Sequence, residues 1–258
     1  MKHTSLALLI LFVMMLSGCD DDEPVIPVVP VSKIRVESMS HGQFSYRAMG
    51  YDDRNRISEL VLGTIDEEKD SIETVYYVTY QGDLIERIAT EGDAHAFEYS
   101  YVNGKIAESR EYANRRLMVM NQFFYDASGH VDVWAIKQAA ADGAMVSVGR
   151  KAYSYDASGN TVSMEMENYD PITKGHELIS TSKYLDFDDK KNSGSLFLIL
   201  ANPYHVQFKN NARTWRIENA NGTVGEAHFT YEYNADGYTT SQRDLDGDLE
   251  VTYQFELY

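Results

Sequence analysis

A short pattern of residues recurs along this chain and constrains its fold more than any other feature. Its clearest copy is Tyr153-Ser-Tyr-Asp-Ala-Ser-Gly-Asn160. Tyr153 and Tyr155 fall on one face of a strand, because successive strand side chains point to opposite faces. The next five residues favour a tight turn, since Asp156 and Asn160 tolerate left-handed backbone and Gly159 adopts positive φ without steric cost. The pattern therefore predicts a strand, a turn and a returning strand.

Seven copies of this pattern are spread over the chain. The aromatic residue before each turn lies at position 51, 80, 101, 125, 155, 187 or 233, so the copies are 21 to 46 residues apart. Such periods indicate an array of supersecondary units, none of which can bury its apolar face alone. Asn103-Gly104 is a strong hairpin signal, and further hairpins are predicted at Asp142-Gly143, Asn221-Gly222 and Asp246-Gly247. No linker divides the copies, so residues 33–258 are predicted to be one all-β domain, an antiparallel meander of hairpins.

The N-terminus is interpreted as a targeting segment that does not belong to this domain. Lys2 precedes an apolar run, Leu6 to Leu16, that is too short to span a bilayer as a helix. Leu16-Ser17-Gly18-Cys19 resembles the bacterial lipobox, and the resemblance implies that residues 1–18 are removed and that Cys19 carries the lipid. Cys19 is the only cysteine in the chain, so no intramolecular disulfide can form.

Residues 19–32 are predicted to be a tether between the lipid and the domain. Asp20-Asp-Asp-Glu23 resembles the surface-export signal of Bacteroides-type lipoproteins. Asp beside the lipidated Cys would instead indicate inner-membrane retention in enteric bacteria, but four consecutive acids exceed what that signal needs. Three of the five prolines follow and favour extended polyproline backbone, with an ordered edge strand at Val25–Val31 as the alternative.

The repeated units themselves also resemble a known family. Tyr125-Asp-Ala-Ser-Gly129 and Tyr155-Asp-Ala-Ser-Gly159 are similar to the YD repeats of rearrangement-hotspot proteins. With the lipobox and the acidic run, they make the chain resemble an uncharacterised family of Bacteroides-type surface lipoproteins. The resemblance implies a porin-like antiparallel barrel, closed or strongly curled, with no assigned activity. The copy after Tyr80 departs from the pattern by lacking the Asp, and the copy after Phe187 by lacking the Gly.

One stretch interrupts the alternation of apolar and polar residues. Leu196-Phe-Leu-Ile-Leu200 is continuously apolar, and periodicity does not distinguish a buried strand from a short helix at this length. A closed sheet of about fourteen strands is too wide for its own side chains to fill. We therefore expect Ser193 to Ala201 to act as a plug that packs against the tyrosines through Leu196, Phe197, Ile199 and Leu200.

Few residues show the spacing of a catalytic or metal site. Asp244, Asp246 and Asp248 offer carboxylates of the kind that hard cations prefer, but an EF-hand loop is absent and a solvated hairpin explains the alternation. No zinc-binding histidine pair, nucleophile elbow or phosphate loop is present. Asp70-Ser71-Ile72 resembles the O-glycosylation acceptor of Bacteroides-type bacteria, which implies modification of Ser71. We predict no cofactor and no metal, and we identify no catalytic residue.

The net charge and the number of tyrosines limit the kinds of partner that we expect for the chain. A net charge of −17 argues against nucleic acid as a partner, because phosphate must be neutralised by Lys and Arg. The 19 tyrosines form core ladders or, alternatively, a sugar-stacking surface. We expect a lipid-anchored outer-membrane protein, on the cell surface or the periplasmic face, with a non-catalytic binding or structural role towards a glycan or protein. The alternatives are a secreted glycan-acting hydrolase with an unidentified carboxylate pair and a transmembrane β-barrel.

Overall fold

The computed structural model describes residues 35–36, 45–65, 71–196, 199–246 and 250–256. Within these ranges the chain forms seventeen strands and two short 3-10 turns, Glu91–Asp93 and Ser193–Leu196. The strands are β1 (Arg35–Val36), β2 (Ser45–Tyr51), β3 (Ile57–Ile65), β4 (Ser71–Gln81), β5 (Leu84–Thr90), β6 (His95–Val102), β7 (Lys105–Ala113), β8 (Arg116–Tyr125), β9 (Val131–Ala139), β10 (Met145–Tyr155), β11 (Thr161–Asp170), β12 (Gly175–Phe187), β13 (Ala212–Asn219), β14 (Val224–Tyr233), β15 (Thr239–Asp244), β16 (Glu250–Thr252) and β17 (Phe255–Glu256). No helix within these ranges is long and apolar enough to cross a membrane.

Fifteen strands form one sheet in which β2 to β16 follow one another in sequence order. Every neighbouring pair in this sheet is antiparallel. The prediction of an all-β antiparallel meander is therefore confirmed. The short strands β1 and β17 form a separate ribbon, in which Arg35 lies opposite Glu256.

The predicted closure of the sheet into a barrel is not confirmed. In the described ranges β2 and β16 are not paired with each other and remain the two edges of the large sheet. β2 offers seven residues for a ladder, whereas β16 offers only three, so few backbone groups are available for closure. Side chains from both ends nevertheless share one hydrophobic cluster, where Met49 and Leu60 lie with Val251 and Tyr253.

The turns of the repeated pattern share one set of hydrogen bonds. In the fifth copy, Asp156 N donates to Asn160 O at 3.0 Å, and Asp156 Oδ1 accepts from Ser158 N and Asn160 N at 2.9 Å. Gly159 has a φ of +84°, as the sequence predicts. In the first and last copies, Asp52 Oδ1 and Asn234 Oδ1 likewise accept from the backbone N–H groups two and four residues further along the chain. The Asp or Asn side chain therefore closes the turn, which explains its recurrence in the sequence.

The sixth copy is the same turn with an insertion. Asp188 N donates to Asn211 O at 3.1 Å, and Asp188 Oδ1 accepts from Lys190 N and Asn211 N at 3.0 and 3.1 Å. Asn211 thus takes the place that Asn160 has in the fifth copy. The degenerate copy predicted at Phe187 is therefore present, but its returning strand, β13, starts only at Ala212. Residues 188–211, here called the crossing segment, lie between β12 and β13.

Tyrosine hydroxyls connect each copy to the one before it. The tyrosine that ends one outgoing strand donates to a backbone carbonyl at the start of the previous returning strand. These hydrogen bonds run from Tyr80 to Ile57, from Tyr101 to Ile85, from Tyr125 to Ile106 and from Tyr155 to Val131, at 2.5 to 2.9 Å. Phe187 has no hydroxyl, and Thr161 is held instead by the crossing segment, through N and Oγ1 donating to Gln207 O at 3.0 and 2.8 Å.

The crossing segment packs on the face of the sheet that carries the core. Leu200 contacts the cluster around Met49, and Ile199 contacts a second cluster around Phe123 and Trp134. Tyr99 Oη donates to Leu200 O. The predicted packing of Ile199 and Leu200 is therefore confirmed, whereas Phe197 and the side chain of Leu196 lie outside the described residues. The segment is longer and more polar than the predicted plug, Ser193 to Ala201.

Candidate functional site

A cavity of about 300 Å³ lies between the crossing segment and the turns of the sheet. One side is formed by the start of β7, by the turn between β8 and β9 and by the end of β10. The other side is formed by residues 202–209 of the crossing segment. Its lining includes Lys105, Tyr125, Gly129, His130, Tyr155, Asn202, Tyr204, His205 and Lys209.

Asn160 holds the crossing segment over this cavity. Its side chain is 1% exposed, and its Oδ1 accepts from Lys209 N at 2.9 Å and from Asn210 N at 2.8 Å. Its Nδ2 donates to Asp156 Oδ2 at 3.0 Å, which ties the amide to the fifth turn. At the other end of the segment, Lys191 N donates to Gly237 O at 2.9 Å. The segment is therefore fixed to two of the repeated turns by hydrogen bonds.

Two buried polar atoms that face the cavity have no hydrogen-bond partner among the described residues. They are Asn202 Oδ1 and His205 Nε2. Asn202 is 1% exposed and His205 is 9% exposed, so water reaches neither side chain freely. A buried polar atom without a partner costs roughly 1–3 kcal/mol, and native proteins rarely retain one without a purpose. These two atoms mark the cavity as a candidate site.

His205 is surrounded by aromatic rings and by positive charge. Its ring centroid lies 5.3 Å from that of Tyr153 and 6.5 Å from that of Trp134. Burial, as the largest cause, and the nearby charges of Lys151 and His130 together lower the pKa of His205 to about 4. The imidazole is therefore neutral near pH 7 and offers one donor and one acceptor.

Two lysine ammonium groups lie against the glycines of adjacent turns. A Cβ atom at Gly129 would lie 2.3 Å from Lys105 Nζ, and one at Gly159 would lie 2.9 Å from Lys209 Nζ. A side chain at either position would therefore displace the lysine ammonium group, in addition to the strain of positive φ. Neither lysine forms an ion pair within the part of the chain that the structure describes. The cavity thus presents two cations whose charge is not neutralised locally.

Aromatic rings form much of the remaining wall. His130 stacks on Tyr155 with ring centroids 4.6 Å apart and planes inclined by 24°. Lys105 Nζ lies 5.2 Å from the ring centroid of Tyr125, within the range of a cation–π contact. Tyr204 is anchored because its Oη accepts from Ile85 N at 2.8 Å. The rings are therefore held in place by contacts with the sheet.

Of the site residues predicted from the sequence, those that the structure describes do not line this cavity. Cys19 and Asp248 lie outside the described residues, and Ser71 is the first residue of β4, with a side chain that is not described. Asp244 ends β15, and its Oδ1 accepts from Asp246 N at 3.0 Å in an exposed turn. Among the described residues, no group of three or more His, Cys, Asp or Glu is placed to hold a metal ion.

Sequence reasoning missed the residues that line the cavity. These residues include Asn202, His205 and Lys209, which follow the apolar run Leu196 to Leu200 and match no motif. One signal was available, because the copy after Phe187 lacks the Gly and is followed by the longest interval in the array, 46 residues. A missing turn residue with a long interval indicates an insertion at that turn.

A second polar cluster links three strands away from this cavity. Tyr76 Oη lies 2.6 Å from His95 Nδ1, and His95 Nε2 lies 2.9 Å from Glu111 Oε1. Burial raises the pKa of Tyr76, so the hydroxyl stays protonated near neutral pH. The side chains of this cluster, Tyr76, His95 and Glu111, are hydrogen bonded to one another, whereas the two atoms at the cavity have no partner among the described residues. This arrangement stabilises the pairing of the strands and offers no free group to a ligand.

Comparison with known proteins identifies the fold without identifying a family. No family model and no curated protein matches the chain. A porin-like protein from Bacteroides uniformis ATCC 8492 aligns with a TM-score of 0.60 at 13% identity, covering 88% of this chain and 97% of that chain. A porin-like protein from Bacteroides vulgatus ATCC 8482 aligns with a TM-score of 0.58 at 14% identity, covering 87% and 99%. At such identities the likeness shows the fold alone, while the YD-repeat relationship and the lipid anchor stay predictions.

Proposed function

We propose that this chain is a lipid-anchored cell-envelope protein that binds a small ligand without transforming it. The observation that carries the proposal is the pair of buried, unpartnered atoms, Asn202 Oδ1 and His205 Nε2, at one cavity. A ligand that donates to the amide oxygen and pairs with the imidazole recovers part of the roughly 1–3 kcal/mol that each atom costs. The cavity is at the small end of the range for ligand pockets, which favours a small ligand.

The envelope location is supported by two independent features. The sequence Leu16-Ser17-Gly18-Cys19 resembles a lipobox, and the acidic and proline-rich residues after it suit a tether. The two solved structures of similar fold are described as porin-like and come from Bacteroides. We also infer that the sheet curls around the crossing segment, because Met49 of β2 and Val251 of β16 share one cluster.

The lining of the cavity favours binding over hydrolysis. Glycosidases use two carboxyl groups on either side of the scissile bond. The lining that the structure describes has two lysines and two histidines and no Asp or Glu. The carboxylate pair that a glycan hydrolase requires is therefore not supplied at this cavity, and we propose that the ligand leaves unchanged.

Anchoring is tested with the variant Cys19→Ala in a bacterial host that lipidates proteins. The wild-type chain is expected to incorporate a fatty-acid analogue and to stay with the membrane fraction. The variant is expected to incorporate none and to leave the membrane after a carbonate wash. A variant that remains in the washed membrane contradicts the anchor and favours a membrane-embedded barrel.

Binding is tested with the detergent-extracted full chain and a panel of mono- and oligosaccharides. A ligand at 100 times its Kd is expected to stabilise the protein by about 2.7 kcal/mol, or roughly 5–10 °C in Tm. Asn202→Leu should abolish the shift, whereas Asn221→Leu, at the hairpin between β13 and β14, should keep it. Absence of any shift, or a shift retained in Asn202→Leu, contradicts the proposal. Conversion of the ligand, seen by product analysis, contradicts the non-catalytic role.

A further inference from the structure

The charge of the cavity is opposite to that of the chain as a whole. The chain has 40 acidic and 23 basic residues, which gives a net charge of −17. The lining described for the cavity nevertheless has Lys105, Lys209, His130 and His205 and no acidic residue. In a chain so rich in acids, two lysines that face one cavity without a carboxylate partner are placed for an external anion.

The two ammonium groups stand at a separation that suits one small molecule. Lys105 Nζ lies against Gly129 in the turn between β8 and β9, and Lys209 Nζ lies against Gly159 in the turn between β10 and β11. These turns are two strands apart in the sheet, so the groups they carry are on the order of 10 Å apart. His130 Nε2 approaches the same position over Gly159, at 3.2 Å from a Cβ built there. The cations therefore flank the cavity from adjacent turns.

We propose that the ligand of this cavity is an acidic monosaccharide, a hydroxylated ring that bears a carboxylate. The inference rests on the proposed binding function and assigns the chemistry of its ligand. The carboxylate pairs with the ammonium group of Lys209, which lies beside His130 Nε2 over Gly159. The ammonium group of Lys105, at the other side of the cavity, donates to ring hydroxyls, and the ring lies against the aromatic wall of Tyr125 and Tyr155. Charge-assisted hydrogen bonds of this kind are about twice as strong as neutral ones.

The unpartnered atoms suit the hydroxyl groups of such a ring. Asn202 Oδ1 is an acceptor and needs a donor, which a carboxylate lacks and a hydroxyl supplies. His205 Nε2 can pair with a hydroxyl in either tautomer, since a hydroxyl both donates and accepts. An inorganic anion such as sulfate, which carries no proton near pH 7, would satisfy the lysines but leave Asn202 Oδ1 without a donor. The combination of cations with a buried acceptor therefore selects an anion that also carries hydroxyls.

The experiment is a calorimetric titration of the detergent-extracted full chain with three probes. D-glucuronate carries the carboxylate and the ring, D-glucose carries the ring alone, and inorganic sulfate carries charge alone. We expect D-glucuronate to bind at least tenfold more tightly than either of the others. Its affinity should fall as salt is raised, because the ion pairs are screened.

Matched variants test the residues. Lys105→Met and Lys209→Met keep most of the aliphatic stem and remove the charge, and each should weaken D-glucuronate binding about tenfold or more. Lys174→Met is the control, since this exposed lysine lies in the turn between β11 and β12, and it should leave the affinity unchanged. If a methionine variant has a Tm that differs from that of the wild type, the glutamine variant at the same position, Lys105→Gln or Lys209→Gln, is used instead.

The outcomes separate this inference from the proposed function. Equal affinity for D-glucose and D-glucuronate, with no loss in the lysine variants, overturns the acidic ligand and leaves a neutral sugar-binding protein. Sulfate that binds as tightly as D-glucuronate overturns the sugar and leaves a simple anion site. If no probe binds and the wider panel of saccharides also gives no shift, the proposed function itself is wrong.

Discussion

At the residue scale, Gly159 shows how one position serves both the fold and the site. Its φ of +84° lies in the left-handed region that favours glycine, which stabilises the turn. The absence of a side chain also leaves the space that Lys209 Nζ and His130 Nε2 occupy. A turn residue in this array therefore also leaves room for Lys209 and His130, which line the cavity. Gly82 provides a comparison, because it has a φ of +63° and nothing within 4 Å of a Cβ built on it.

Substitution at these two glycines should separate backbone strain from lost space. Gly82→Ala should cost about 1 kcal/mol from the positive φ alone. Gly159→Ala introduces the same backbone strain and also displaces the Lys209 ammonium group. Gly159→Val should lower the free energy of unfolding by about 2 kcal/mol or more. Denaturant unfolding measures the costs, and titration with the cavity ligand should show weakened binding only for the Gly159 variants. Equal costs and equal binding would contradict the role of Gly159 in the site.

The buried imidazole of His205 should make stability depend on pH. Its pKa is about 4 in the folded protein and near 6.5 when exposed, because burial and the charges of Lys151 and His130 oppose protonation. The unfolded chain therefore binds more protons between these values, and stability falls as pH decreases from 6.5 to 4. The loss is about 3 kcal/mol when complete.

His205→Gln should remove this part of the pH dependence. The free energy of unfolding of wild type and variant is measured at pH 7 and at pH 4.5. The wild type should lose on the order of 2–3 kcal/mol more than the variant over this interval. An identical loss in both proteins would mean that His205 titrates normally and is not buried as described.

At the scale of elements, the array combines a repeated turn with one inserted segment. Asp188 starts the sixth turn as Asp156 starts the fifth, but Asn211 closes it from the far end of the crossing segment. Asp188 also accepts from Asn211 Nδ2 through both carboxylate oxygens, at 3.2 Å, and from Tyr233 Oη. One carboxylate therefore holds both ends of the segment and the neighbouring strand β14.

Removal of this carboxylate should release the crossing segment. Asp188→Ala deprives several donors of a charged acceptor and should cost about 2–4 kcal/mol. It should also speed limited proteolysis between residues 191 and 210. The control is Asp142→Ala, which removes a single hydrogen bond, from Ala144 N at 3.0 Å in an exposed turn, and should cost less than about 1 kcal/mol. A similar small cost at both positions would contradict this function of Asp188.

At the scale of the molecule, the crossing segment joins parts of the sheet that are distant in sequence. Leu200 packs in the cluster that contains residues from the first strands and from β16, and Ile199 packs with the strands in the middle. Tyr204 contacts both clusters. Within the described ranges the two edges of the sheet are not joined by a backbone ladder, so this packing contributes to the association of its ends.

Leu200→Asp should therefore affect the whole molecule. Leu200 is partly buried against the first cluster, so a carboxylate placed there without a cationic partner is costly and also disrupts the contact between the clusters. We expect loss of cooperative unfolding, or a fall in stability of several kcal/mol, measured by circular dichroism and denaturant titration. Leu185→Asp is the control, because Leu185 is 43% exposed, and it should change stability little. A Leu200→Asp variant as stable as this control would mean that the segment is not part of the core.

The sequence by itself determined the features that depend on neighbouring residues. Alternation of side chains and the chemistry of Asp, Asn and Gly predict strands and turns, because both are set within a few residues of backbone. The fifth turn, with Gly159 at positive φ, is an example. The apolar character of Ile199 and Leu200 likewise predicted that they pack against the core. The strand order follows from the short turns, since consecutive hairpins can only form a meander.

Tertiary structure alone decided the site and the extent of closure. The cavity depends on contacts between Lys105 and Gly129, and between Lys209 and Gly159, which are 24 and 50 residues apart. No local rule determines where a long insertion returns, because its path is fixed by packing and by hydrogen bonds to turns such as that of Asn160. Closure of the sheet depends likewise on the lengths of β2 and β16, at opposite ends of the array. The periodicity of the chain thus determines its strands, whereas the positions of residues far apart in sequence arise only when the strands pack together.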